Sequence, residues 1–176
     1  MKAAQRLILA CLLASFCGAG MATPPRTEFE QSFIGREWTR TIPDVEPNTL
    51  SPQCKYVGGY AIVKQQQELE DYDIDSFICD GRRLHLLTKS LGFPKVKIID
   101  ALLLPRFKLG DRLMESGDCE LDGKHDTTII VLVHLGQREK VDWKTGVRAA
   151  WMPMPETGKI EELPVRRVVC WRPTPP

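Results

Sequence analysis

The chain has 176 residues, 43% of them hydrophobic, and its 24 Lys and Arg nearly balance its 23 Asp and Glu, giving a formal net charge of +1. A nucleic-acid-binding protein should carry a basic stripe, and a protein that docks electrostatically on membranes should carry a basic excess. The near-neutral balance argues against both classes. The length suits one domain that is large enough to bury a hydrophobic core.

The first 22 residues have the three parts of a secretory signal peptide. Lys2 and Arg6 give a positive start. An apolar run from Leu7 to Phe16 follows, and small residues end the segment at Ala22. The run is too short to span a membrane, which takes roughly 20 residues. We therefore expect cleavage after Ala22, no membrane anchor in the mature chain, and export to the periplasm or the extracellular medium.

Residues 23–53 are predicted to be an irregular, proline-rich lead-in to the domain. Within it, Phe29, Phe33 and Ile34 suit a short amphipathic piece that docks on the core. Three prolines between residues 41 and 53 deny regular backbone hydrogen bonding and indicate an extended surface loop.

Strand signals begin at Cys54, and we predict a disulfide-stabilised β domain over residues 54–172. Apolar or alternating runs bounded by turn residues predict strands within 56–63, 74–79, 84–91, 96–104, 112–121, 127–135, 141–151 and 165–171. The polar stretch 64–73 is interpreted as either a helical turn or an exposed hairpin end. The run 127–135 is the clearest element, and its continuous β-branched character predicts a central strand covered on both faces.

Turn signals at Asp80-Gly81 and Asp122-Gly123 separate the predicted strands, and Gly58-Gly59 indicates a bulge or a bend. No segment sustains a helical period over three turns, and the proline-rich tail at 173–176 cannot join a sheet interior. The expected fold is mainly β: an antiparallel sheet, or a sandwich or barrel-like arrangement, in a single domain with little helix. An α+β fold is the alternative.

An even number of cysteines in an exported chain predicts disulfides. Those that follow the signal peptide are Cys54, Cys79, Cys119 and Cys170. The sequence leaves all three pairings open, and we favour Cys54–Cys79 with Cys119–Cys170. Either bond would add roughly 3–4 kcal/mol in the chain-entropy view of disulfides.

One acidic stretch resembles a calcium-binding loop in its spacing, with Asp118, Glu120, Asp122 and Asp126 as candidate ligands. Such a loop requires a bidentate Glu at its twelfth position, where this chain has Ile129. We interpret the stretch as a hairpin turn beside a disulfide.

Zinc is the other metal considered, because Cys79 and His85 repeat the spacing of Cys119 and His125. Structural zinc sites use cysteines that are closer in sequence. In an oxidising compartment, moreover, cysteines form disulfides and do not remain as the thiolates that zinc needs. We therefore expect no metal and no other cofactor.

No local catalytic motif is present, and the chain has three histidines: His85, His125 and His134. His85 lies in an alternating strand and is expected to face solvent, whereas His134 closes an apolar strand and is expected to be structural. A site made of a histidine and acids could still assemble from distant parts of the chain. An exported hydrolase with such a site is the alternative function.

The favoured function is a non-catalytic binding, inhibitor or immunity-type protein whose partner is another exported or envelope protein, with no role for nucleic acid. Its contacts would come from surface aromatic or basic side chains. The candidates are Trp38, Trp143, Trp151 and Trp171 and the basic pairs Arg82-Arg83 and Arg166-Arg167. Basic pairs are more often solvated faces than ligand sites.

Overall fold

A computed structural model describes residues 25–40, 50–64, 67–115 and 117–173, with the backbone alone at 63–64 and 67–70. The predicted signal peptide, most of the predicted proline-rich loop and the end of the tail lie outside these residues. Within them, no helix is both long and apolar enough to cross a bilayer.

The structure consists of thirteen strands, one short α-helix and one 3₁₀ turn over the described ranges. In chain order they are α1 (Glu28–Gln31), β1 (Glu37–Thr39), β2 (Cys54–Lys64), β3 (Gln67–Cys79), β4 (Arg82–Ser90), β5 (Lys95–Leu103), β6 (Asp111–Met114), β7 (Cys119–Leu121), β8 (Lys124–Asp126), β9 (Ile130–His134), β10 (Lys140–Val141), β11 (Val147–Met154), β12 (Lys159–Glu162), the 3₁₀ turn (Val165–Arg167) and β13 (Val168–Trp171).

The expectation of a mainly β, antiparallel fold with little helix is confirmed. Each described strand pair is antiparallel, and the pairs form three sheets with the strand orders β1-β5-β4-β3-β2, β12-β11-β9-β6 and β10-β13-β7-β8. The α+β alternative is set aside, because α1 is a single turn that begins with a capping box at Thr27.

The three sheets are stacked around three buried clusters. The first cluster joins Phe33, beside α1, to one face of the five-stranded sheet at Phe77 and Leu86. The second lies between the other face of that sheet and the β9 sheet, and the third lies between the β9 sheet and the β13 sheet. Each sheet therefore buries apolar side chains against a neighbouring layer, which is how layered domains form a core.

Strand β9 occupies the centre of this stack, as its sequence predicts. Ile130 and Leu132 face the five-stranded sheet, whereas Val131 and Val133 face the opposite layer. The five residues Ile129 to Val133 are at most 4% exposed. A continuous apolar run is the sequence signature of a strand covered on both faces.

The predicted turns and the predicted bulge are confirmed. Asp80 and Gly81 have φ values of 49° and 75°, and Asp122 and Gly123 have 51° and 75°. Two successive residues with positive φ suit the tight hairpins that join β3 to β4 and β7 to β8. The pairing of β2 with β3 shifts register between Tyr56 and Gly58, as Gly58-Gly59 indicates.

Both favoured disulfides are present, Cys54–Cys79 and Cys119–Cys170. Each joins directly opposite residues of neighbouring strands, β2 with β3 and β7 with β13. Two disulfides are consistent with folding in an oxidising, extracellular environment.

The structure differs from the sequence analysis in several elements. The predicted strand 112–121 is divided into β6 and β7, and the predicted strand 141–151 into β10 and β11, and the two parts of each belong to different sheets. The lead-in is partly regular, because β1 extends the five-stranded sheet beside β5. The polar stretch 64–73 lies at the end of the β2–β3 hairpin, which agrees with one of its two interpretations, and most of it belongs to β3 rather than to a helical turn. His85, expected to face solvent, is 0% exposed, because both faces of β4 are covered by other layers.

Candidate functional site

The β3–β4 hairpin and the segment that follows β5 enclose an open cleft of about 490 Å³ at one end of the five-stranded sheet. Its walls are lined by Ile78, Asp80, Gly81, Arg82, Arg83, Pro105, Arg106 and Phe107. We call this feature the arginine cleft. Pro105 ends the β5 run because proline cannot continue a strand ladder, and the chain then turns over the hairpin end.

Hydrogen bonds hold the two walls of the arginine cleft together. The Arg82 guanidinium donates to the Leu104 carbonyl oxygen from Nε at 3.2 Å and from Nη2 at 2.9 Å. The Leu104 amide in turn donates to the Arg83 carbonyl oxygen at 2.8 Å. The Cys54–Cys79 disulfide ties the hairpin to β2 just before Asp80. The cleft is therefore built on a braced hairpin, which keeps its side chains in place.

The positive charge of the cleft is only partly compensated, because Arg83 lies near enough to Glu115 to oppose the rise in the pKa of that carboxyl. Arg83 and Arg106 form no ion pair with any described residue, and Arg82 is engaged with a carbonyl group rather than a carboxylate. Among the described residues of the lining, Asp80 is the single acid, so three guanidinium groups and one carboxylate leave a local excess of positive charge. A guanidinium presents a planar fork of N–H donors that matches carboxylate or phosphate oxygens.

Apolar side chains lie exposed beside these charges. Phe107 and Ile78, on opposite walls, are each 41% exposed, and Leu109 on the same segment as Phe107 is 99% exposed. Exposed large apolar side chains that cluster with polar ones mark interaction sites more often than apolar residues scattered singly.

Arg40, outside the cleft, is an arginine whose guanidinium is paired with carboxylates. Arg40, just after β1, contacts Asp73 at 2.8 Å and donates hydrogen bonds to Asp75 and to Thr88 Oγ1. Burial raises the pKa of the Asp75 carboxyl, and the Arg40 charge opposes that rise. Arg40 therefore links the end of β1 to the five-stranded sheet through ion pairs, whereas Arg83 and Arg106 of the cleft have no such carboxylate partners among the described residues.

The structure also brings a histidine together with a serine and an acid. The Ser76 hydroxyl lies 2.9 Å from His85 Nδ1, and His85 Nε2 lies 3.4 Å from Glu115 Oε1 without forming a hydrogen bond. Burial raises the pKa of Tyr60, and the charge of nearby Glu115 raises it further. Ser76, His85 and Glu115 have the side-chain types of a catalytic triad, and they meet on the face of the sheet that packs against β9.

Burial controls the protonation of this group. Burial, with a smaller contribution from the nearby Arg83 charge, lowers the pKa of His85 to about 3. Burial raises the pKa of Glu115, and Arg83 opposes that rise. At neutral pH the imidazole is therefore neutral, and the aligned side chains sit in a desolvated region where a charge is costly.

The serine and the histidine of this group are too deeply buried for a substrate to reach them. Ser76 is 4% exposed and His85 is 0% exposed, and neither lines the arginine cleft. A nucleophilic serine must reach a substrate carbonyl, and general-base catalysis requires the same access for the histidine. The arrangement is that of a core histidine oriented by a serine.

The remaining histidines lie on the surface. His134 is 46% exposed, and its Nδ1 lies 3.4 Å from an Asp111 oxygen that Arg148 also contacts at 3.0 Å. His125 is exposed on β8 opposite Glu120 of β7. Neither histidine belongs to an assembly with a serine in the described hydrogen bonds.

The acidic stretch is not gathered around one point. Asp122 pairs with Arg167 at the β7–β8 turn, and an Asp126 oxygen accepts hydrogen bonds from the backbone and side chain of Thr128 at 2.8 and 2.6 Å. In the part of the chain that the structure describes, no three His, Cys, Asp or Glu residues form a group able to hold a metal ion. Cys79 and Cys119, considered for zinc, are both in disulfides.

The candidate aromatic residues divide by burial. Trp38 and Trp151 are core residues, 8% and 7% exposed, and Trp171 is partly buried. Trp143 is 52% exposed in the turn before β11. Of the basic pairs, Arg82-Arg83 lines the cleft, whereas Arg166 is exposed.

Sequence reasoning missed Arg106 and Phe107. Their signal is the segment Pro105 to Leu109, in which cationic and large apolar residues alternate after a strand-ending proline. Apolar residues in a loop have no strand or helix face to bury them, so they are exposed unless another element covers them. No family model, curated protein or solved structure matches this chain.

Proposed function

We propose that this chain is an exported, non-catalytic binding protein of the inhibitor or immunity type, and that the arginine cleft is its contact surface. The observation that carries the proposal is the combination of two guanidinium groups without an ion pair to any described residue, Arg83 and Arg106, with exposed Phe107 and Ile78. These side chains lie on the braced hairpin and on the segment after β5 that is hydrogen-bonded to it. Arginine and aromatic residues are enriched among the side chains that dominate binding energy at protein interfaces.

The proposed compartment is the periplasm or the extracellular medium, and the partner is another exported or envelope protein. Two disulfides support this compartment, as does the charged and apolar N-terminal pattern of residues 1–22. The alternative, an exported hydrolase, would depend on Ser76, His85 and Glu115, and the burial of Ser76 and His85 counts against it.

The test places a photo-crosslinking amino acid, benzoylphenylalanine, at position 107 of the protein expressed in its native host. The same amino acid at position 143 is the control, because Trp143 is also an exposed aromatic residue but lies outside the cleft. We expect one discrete crosslinked protein from position 107, none from position 143, and loss of the product when Arg106→Glu is added. Equal products from both positions, or none from either, would contradict the proposal.

A further inference from the structure

We propose that the arginine cleft binds an acidic peptide segment of the partner, in which a carboxylate lies next to an aromatic or aliphatic side chain. This inference rests on the binding function proposed above and specifies the chemistry that the partner presents.

The charges of the cleft identify the anionic half of the ligand. Arg83 and Arg106 bring free guanidinium forks to one concavity, and Arg82 adds a third positive charge while bracing the Leu104 carbonyl. Each fork can donate two parallel hydrogen bonds to the oxygens of one carboxylate. Because the chain as a whole is nearly neutral, this local excess of positive charge is a feature of the cleft rather than of the surface in general.

The apolar walls of the cleft identify the second, apolar half of the ligand. Phe107 and Ile78 leave 41% of their surfaces exposed on opposite sides of the arginines. A simple anion would leave both side chains in water. An aromatic or aliphatic side chain adjacent to the carboxylate would cover them and would exclude water from the charge pairs, which strengthens those pairs.

Asp80 and the size of the cleft favour a peptide over an inorganic anion. The volume of about 490 Å³ is typical of sites that enclose organic ligands, roughly 300–1,000 Å³. Asp80 places a carboxylate in the same lining, and this group repels a doubly charged phosphate more strongly than a single carboxylate, whereas it can accept hydrogen bonds from the N–H groups of a peptide. A peptide with one carboxylate therefore satisfies both signs of charge in the cleft.

The braced walls favour binding without rearrangement. The Arg82–Leu104 and Leu104–Arg83 hydrogen bonds join the hairpin to the segment after β5 before any ligand arrives. Because the walls of the cleft are already ordered in the free protein, binding loses little conformational entropy there. A short peptide segment can therefore bind with measurable affinity.

The test selects ligands from a displayed random heptapeptide library with the purified exported protein, and measures the affinity of the enriched peptides by calorimetry. We expect enrichment of Asp or Glu next to an aromatic or aliphatic residue. Arg106→Glu should weaken these peptides by about thirtyfold or more, the loss that corresponds to a hot-spot residue. Arg166→Glu, the same charge change at an exposed site outside the cleft, should leave affinity unchanged. Replacement of the Asp or Glu in an enriched peptide by its amide should also abolish binding.

Two further variants keep the result interpretable. Arg83→Gln removes the second free fork without placing a new charge near Glu115, and should weaken the same peptides. Arg106→Lys keeps the charge but loses the fork, and should restore only part of the affinity. Melting curves of each variant check that the fold is intact.

The outcomes separate this inference from the proposed function. Enriched peptides without carboxylates, affinities insensitive to Arg106→Glu, or inorganic phosphate bound in the cleft to the exclusion of every peptide would overturn the acidic-peptide inference. If crosslinking from position 107 still succeeds in those cases, the binding function stands with a different partner chemistry. If both experiments are negative, both proposals fail.

Discussion

His85 has the serine neighbour of a catalytic histidine but lies in the core of the protein. Its ring is 0% exposed, its Nδ1 pairs with the Ser76 hydroxyl, and burial holds its pKa near 3. The unfolded chain binds a proton on His85 below its ordinary pKa of 6.5, whereas the folded chain does not. The stabilising contribution is therefore complete above pH 6.5 and decreases as the pH falls toward 3.

The difference in His85 protonation between the folded and unfolded states predicts a measurable pH dependence of the free energy of unfolding. Between pH 6 and pH 4, His85 should reduce the free energy of unfolding by about 1.4 kcal/mol for each unit that the pH falls. His85→Gln keeps hydrogen-bonding groups near Ser76 but cannot titrate, so its unfolding free energy should depend less steeply on pH by about that amount. Urea unfolding at several pH values provides the measurement, and His125→Gln, at an exposed site, is the control. Identical slopes in the wild type and in His85→Gln would show that His85 is protonated in the folded protein.

At the scale of the element, β9 joins the layers of the molecule. Its odd and even residues contribute to two different buried clusters, so a single strand supplies part of the core on both sides. The β3–β4 hairpin has a different role. It carries Ile78 and Phe77 on opposite faces, one 41% exposed in the cleft and the other 0% exposed in the core. The candidate site therefore lies at the end of a hairpin whose other face is packed in the core.

The position of β9 predicts the outcome of one substitution. Val131→Asp places a carboxylate without a partner among Val133, Val147 and their neighbours, at a site that is 0% exposed. A buried unpaired charge costs several kcal/mol, comparable with the whole stability of a domain. We expect this variant not to accumulate as folded protein. Val57→Asp, on β2 at a site that is 40% exposed, should fold normally and serves as the matched control. A soluble Val131→Asp variant with an unchanged melting temperature would contradict the central position of β9.

At the scale of the whole molecule, the two disulfides reinforce different parts of the stack. Cys54–Cys79 lies in the five-stranded sheet beside the arginine cleft, and Cys119–Cys170 lies in the β13 sheet on the far side of β9. They close sequence separations of 25 and 51 residues. In the chain-entropy view, each restricts the unfolded chain and stabilises the folded state.

Thiol labelling provides the corresponding test. The protein purified without residues 1–22 should show no reactive cysteine when it is labelled under denaturing, non-reducing conditions, and peptide mapping should recover the two predicted pairs. The double variant Cys119→Ser, Cys170→Ser should lose about 3–4 kcal/mol of unfolding free energy. Labelling of two or more of the four cysteines, or a peptide that joins Cys79 to Cys119, would refute the disulfide arrangement.

The sequence by itself determined the features that depend on neighbouring residues. Positive-φ turns at Asp80-Gly81 and Asp122-Gly123, and the β-branched run that becomes β9, are local signals that hold in any tertiary context. The number of cysteines also predicted disulfides, although the choice of partners among three pairings was only a preference until the register of β2 with β3 placed Cys54 opposite Cys79.

Only the tertiary structure decided which side chains meet water and which meet each other. The alternating pattern around His85 is typical of a strand with one exposed face, yet a second sheet covers that face and buries the histidine. The arginine cleft is likewise invisible locally, because Arg83 and Arg106 are separated by the whole length of β4 and β5 and meet only when this hairpin folds antiparallel. Strand pairing brings distant residues together, and the sequence pattern of a strand does not specify which other strand it will pair with.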